Sequence, residues 1–221
     1  MKTRNLSLLA LGLSLLGGLV APAIGETFNW TGALSTDYQT AGNWTTNGVV
    51  AEQVPCDGAD VVIDAGTGGI TASLDVNGCD YASVTIGPNF GYSVGNSTSD
   101  CLIFAANKLV VYGGGGAGHW LQAASPGWDE VIVRSVGPTG LGPLFMKGTS
   151  AGTVNIKKGT VTLGSGLAIT TLVVDPTAGS ASNVVLTSSA TVTTAYLRSG
   201  TNTLAAGTVT TTYLDSDRKS G

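Results

Sequence analysis

Residues 161–174 read Val161-Thr-Leu-Gly-Ser-Gly-Leu-Ala-Ile169-Thr-Thr-Leu-Val-Val174. They superpose on Val184-Val-Leu-Thr-Ser-Ser-Ala-Thr-Val192-Thr-Thr-Ala-Tyr-Leu197, and these on Asn202-Thr-Leu-Ala-Ala-Gly-Thr-Val209-Thr-Thr-Thr-Tyr-Leu214 with one residue deleted. The equivalent leucines, Leu163, Leu186 and Leu204, are offset by 23 and 18 residues. Each copy alternates apolar and small polar residues on either side of a Gly/Ser/Ala turn, so each holds two short strands with one buried face. A strand–turn–strand unit recurring roughly every 20 residues is the pattern of a β-solenoid, in which each unit buries its apolar face against its neighbours. The expected fold is all-β, a β-solenoid (parallel β-helix), with the three leucines in one inward column. A β-sandwich or jelly roll is the alternative. It accounts for alternation but does not require units to recur in register.

The repeat extends upstream. Cys56-Asp-Gly-Ala-Asp-Val-Val-Ile63 matches Cys79-Asp-Tyr-Ala-Ser-Val-Thr-Ile86 at an offset of 23. Ile70 to Val76 supplies a strand between the copies, and Leu102–Tyr112, Glu130–Val136, Leu144–Met146 and Val154–Ile156 continue the pattern less regularly. Residues 26–55 differ: Phe28, Trp30, Tyr38 and Trp44 are concentrated there, with turn signals between them. An open solenoid end exposes apolar surface and needs a cap. The segment is therefore expected to be an aromatic cap, with residues 56–221 forming the repeats. An aromatic platform for sugar rings, using Trp30, Trp44 or Trp128, is the competing use of the same residue type.

Residues 1–25 carry the marks of an export signal: Lys2 and Arg4, an apolar run from Leu6 to Val20, and Ala23-Ile24-Gly25 at the expected cleavage site. The run is too short for a comfortable membrane span, and no later stretch is long enough. A secreted or cell-surface location is expected. Charged residues are 11% of the chain. Nine acids and no Lys or Arg lie between residues 26 and 107, whereas eight bases and five acids follow. The contrast points to end-to-end attraction or to cation binding at the acidic end. The bases are few and scattered, which argues against nucleic acid as a partner.

Cys56 and Cys79 share a register position. Successive strands about 4.8 Å apart fall within the Cα separation that a disulfide accepts, and export permits one. Cys101 is left over. Asp57, Asp60 and Asp64 are weak calcium candidates, without the strict period of calcium-stapled repeats. His119 is the sole histidine and has no serine elbow or cysteine pair beside it. Residues 113–118 are glycine-rich but fit neither a P-loop nor a dinucleotide fingerprint. These observations lead us to expect no catalytic residue, no cofactor and no firm metal site.

Trp30-Thr-Gly32, Ala41-Gly-Asn-Trp44, Pro55 and Asp60-Val-Val-Ile63 together resemble the opening of secreted bacterial and phage-borne β-solenoid repeat proteins, whose strands are like those of autotransporter passengers. The resemblance implies a surface, appendage or adhesion component. The functional expectation is a non-enzymatic extracellular structural protein, a self-associating subunit of a surface layer, fibre or appendage. A carbohydrate-binding or adhesive module is the alternative. A polysaccharide lyase-like β-helix is the third reading, disfavoured because the acids lie early and the bases late.

Overall fold

The computed structural model describes residues 25–112, 118–135, 144–175, 182–187, 189–198, 201–203 and 207–214. Residues 1–24, where an export signal is expected, most of the glycine run, Leu204 and the polar tail after Leu214 lie outside the described residues. The protein is all-β, and its sheet is mostly parallel and open.

One ladder runs the length of the molecule. It contains β1 (Thr27–Trp30), β4 (Asp60–Ile63), β5 (Asp75–Ile86), β6 (Leu102–Tyr112), β7 (His119–Ser135), β9 (Ser150–Ile156), β11 (Ala168–Val174), β13 (Thr191–Leu197) and β15 (Thr208–Leu214), each parallel to the next. Its registers align one column through Phe28, Val61, Val84, Leu109, Val131, Val154, Leu172, Ala195 and Thr212. All but the last of these are buried. Ile63, Ile86, Val111, Val133, Ile156, Val174, Leu197 and Leu214 form a second column. β-Branched and leucine side chains suit this position because they pack well against identical neighbours on a pleated surface.

A second ladder lies beside the first. The early half of β7 pairs with β6 and with β8 (Leu144–Gly148), which pairs in turn with β10 (Gly159–Leu163), β12 (Ser182–Leu186) and β14 (Thr201–Thr203). Long strands β5 to β7 supply both ladders where the repeats are irregular, and shorter paired strands do so in the last third. The repeat alignment holds. Val161 pairs with Val184, Leu163 with Leu186 and Ile169 with Val192, all at an offset of 23. Val184 pairs with Asn202 at 18, and Val192 with Val209 at 17, where the deletion was inferred. Leu163 and Leu186 are both buried in one column.

The first end departs from this plan. Beyond β1 the chain turns back into β2 (Trp44–Thr46) and β3 (Val49–Val50), which pair antiparallel. Residues 26–55 thus contribute both the first parallel strand and the reversed pair that covers its outer edge.

Candidate functional site

The Gly-Asn-Trp motif near the N-terminus serves packing. Asn43 is fully buried, and its Oδ1 accepts hydrogen bonds from the backbone N–H groups of Leu34 and Ser35, each at 2.9 Å. Its Nδ2 donates to Ser35 Oγ at 2.9 Å and to the Asp37 carbonyl at 2.8 Å. One side chain therefore satisfies an entire loop, as a buried amide must. Trp44 donates to the Tyr38 carbonyl at 2.8 Å and Trp30 to the Gly68 carbonyl at 3.1 Å. Their rings meet edge to face with centroids 5.0 Å apart. Trp128 packs in the interior against Phe104, with centroids 5.5 Å apart. Trp30, Trp44 and Trp128 are 2%, 0% and 1% exposed, so none has a free face for a sugar ring. The competing expectation, a sugar platform at these three residues, is corrected: neighbouring strands cover them.

Cys56 and Cys79 form a disulfide with Cα atoms 4.9 Å apart, consistent with the 23-residue register of β4 on β5. Asp80 pairs with Ala105, which places Cys101 off that column. Cys101 is a buried free thiol, donating weakly toward the Ser97 and Thr98 carbonyls at 3.4 and 3.6 Å, and burial raises its pKa. The three candidate aspartates do not converge. Asp57 accepts from the Asp80 N–H at 2.8 Å, Asp60 from the Ser83 hydroxyl, and Asp64 from the Asn89 N–H and Nδ2 at 3.0 and 3.1 Å. Each ties one repeat to the next. Among the described residues, the one cluster of metal-ligand type is Cys56, Asp57 and Cys79, and its sulfurs are consumed by the disulfide.

His119 occupies an unexpected place. It pairs with Val94 and Leu144, so it fills a position in the inward column that continues through Val161 and Val184. The ring is 1% exposed, lies stacked near Phe90, and has no hydrogen-bond partner at either nitrogen among the described residues. Desolvation lowers its pKa to about 4. A ring so enclosed has no route to a substrate at the surface, so it is a neutral core residue.

The two ends of the molecule carry its exposed apolar side chains. At the first end these are Leu34, Val49 and Val50; at the last they are Tyr196, Tyr213 and Leu214, with Leu214 75% exposed. Tyr92 is the remaining large one among the described residues. Tyr196 and Tyr213 stack nearly parallel on adjacent strands, with centroids 4.9 Å apart. β15 pairs only with β13, so its other edge presents unpaired backbone groups among the described residues. Three bases of the later segment pair with acids of the same segment: Lys108 with Glu130 at 2.9 Å, and Lys157 and Arg198 with Asp175 at 3.1 and 3.2 Å.

No protein-family model matches this chain, and neither a curated protein nor a solved structure matches it. Among the described residues, no helix is long and apolar enough to cross a membrane. Sequence reasoning missed Trp120, the one tryptophan that is not buried. The alternation of β7 groups Trp120 with Gln122 on one face and Leu121 with Ala123 on the other, and burial of the second pair makes the first the outer face.

Proposed function

We propose that the two parallel ladders are faces of a β-solenoid, and that the protein is an extracellular building unit that joins second copies of itself through its ends. The observation that carries this reading is the last strand, whose outer edge has no partner among the described residues. Two long interior columns run through the molecule and arrive at β15 with Thr212 and Leu214 exposed. A ladder of this kind is stabilised by each added strand, because the next one buries the apolar face and pairs the backbone edge. A second copy supplies both. The exposed Leu34, Val49 and Val50 at the other end offer the matching apolar surface for head-to-tail contact. The export signal and disulfide agree with an extracellular setting. Such a unit needs no reaction, and we assign it no enzymatic role.

Light scattering and negative-stain microscopy of the mature protein test the proposal. Filaments or sheets that persist at high salt are expected, since strand pairing and apolar contact survive screening. Tyr213→Lys combined with Leu214→Asp should return the protein to monomers. Discrete dimers would remove the polymer, and a monomer at high concentration in low and high salt would overturn self-association altogether.

A further inference from the structure

A second surface lies on the outward side of the shorter ladder, away from both ends. Trp120 and Gln122 of β7 are register partners of Phe145 and Lys147 of β8, and all four are half-buried side chains on the outer face. The result is a two-by-two array, with two aromatics on one line and an amide and an ammonium on the next. Beside it, Phe145, Gln122 and Lys147 line an open groove of about 510 Å³, together with Thr98, Ser165 and Thr187.

A glycine beside the groove sets the place of one lining ring. A Cβ at Gly164 would meet the Phe145 ring at 2.6 Å. The missing side chain lets that ring lie against the neighbouring turn. Lys147 is anchored by donating from Nζ to the Thr98 carbonyl at 2.7 Å, which leaves two of its N–H donors for a ligand. Gln122 makes no side-chain hydrogen bond among the described residues, so both ends of its amide are available. The lining contains one charged side chain, and it is cationic.

We propose that this groove binds an acidic saccharide, a glycan bearing uronic or similar carboxylated sugars. Each part of the array matches one part of such a ligand. The aromatic faces accept the C–H face of a pyranose ring. The Gln122 amide and the Ser165 and Thr187 hydroxyls match vicinal sugar hydroxyls. Lys147 takes the carboxylate in a charge-assisted hydrogen bond. A neutral glycan leaves Lys147 without its partner, and a bare polyanion leaves the aromatic face unused. The site is independent of self-association, since neither end of the molecule contributes to it.

Calorimetry on the full mature protein tests the assignment, using oligogalacturonate, its carboxyl-reduced neutral counterpart and polyphosphate as probes. Oligogalacturonate should bind, and binding should weaken with salt. Lys147→Met should cost about tenfold in affinity for the acidic probe and leave the weak neutral signal unchanged. Phe145→Ala and Trp120→Ala should each weaken it by a similar factor. Gly164→Ala serves as a variant that removes no lining side chain: its methyl group displaces the Phe145 ring and should reduce binding while circular dichroism stays unchanged. Equal binding of the neutral probe would overturn the acidic class, and equal binding of polyphosphate would reduce the site to simple charge. Absence of binding by all three probes at millimolar concentration would overturn the proposal, and microscopy would still report on assembly separately.

Discussion

The first and last repeats of this protein solve the same packing problem with different means. Around β1 and β4 the interior is held by singular features: Asn43 stitching a loop, Trp30 and Trp44 packed edge to face, a Tyr38–Tyr81 hydroxyl contact at 2.9 Å, and the Cys56–Cys79 bond. Around β11, β13 and β15 the interior is a plain column of mostly aliphatic residues in register, with no comparable device among the described residues. The difference shows that in-register alternation is enough to pair the strands of the last third, whereas the first end adds buried polar and aromatic packing. The end without such residues is the end that we expect to join another molecule.

That contrast can be broken most forcefully at the first end. Trp44→Ala removes a fully buried ring and a hydrogen bond, and should destabilise the protein by about 3–5 kcal/mol in urea unfolding. A loss below about 1 kcal/mol would mean that the aromatic packing is dispensable. Replacing both Cys56 and Cys79 by alanine should cost about 3 kcal/mol for a loop of this size, and unfolding of the variant with its reductant-insensitive baseline checks it.

The middle of the chain gives a pH test. The folded-state pKa of His119 is lowered to about 4 by burial, against an ordinary value near 6.5. The unfolded chain therefore takes up the proton first. Stability is complete above about pH 6.5 and falls as the pH drops toward about 4, by about 3 kcal/mol in total. His119→Leu should abolish that component, since leucine matches Leu144 beside it in the column. The quantity to follow is the difference between the two proteins across this window; parallel curves would show that the ring is not buried uncharged. The smallest stability effect belongs to the last strand. Tyr213→Ala loses one stacked, half-exposed ring and should cost about 0.5–1 kcal/mol. Its effect on sedimentation should be far larger than its effect on unfolding, if β15 is the contact.

The register of the last third was legible in residues 161–214 because side chains in a strand alternate with a period of two. A slip of one residue would turn Val161, Leu163 and Ile169 outward, so the apolar pattern and the pairing constrain each other. The Cys56–Cys79 offset followed from the same rule. The aromatic residues were not legible in that way. The sequence His119-Trp-Leu-Gln-Ala123 places apolar groups on both faces, and nothing local states which face is inside. Pairing with Leu144 and Met146 decides it, turning His119 in and Trp120 out.

By itself, then, the sequence determined the all-β class, the spacing of the repeats and the partners within residues 56–86 and 161–214, since these depend on local periodicity and on identity between copies. Tertiary structure alone decided that Trp30, Trp44 and Trp128 are interior, that three aspartates tie separate repeats instead of meeting, and that Trp120, Gln122, Phe145 and Lys147 share one face. The physical reason is that burial and convergence depend on what a distant segment lays over a strand. Residue type sets only how much such covering is worth.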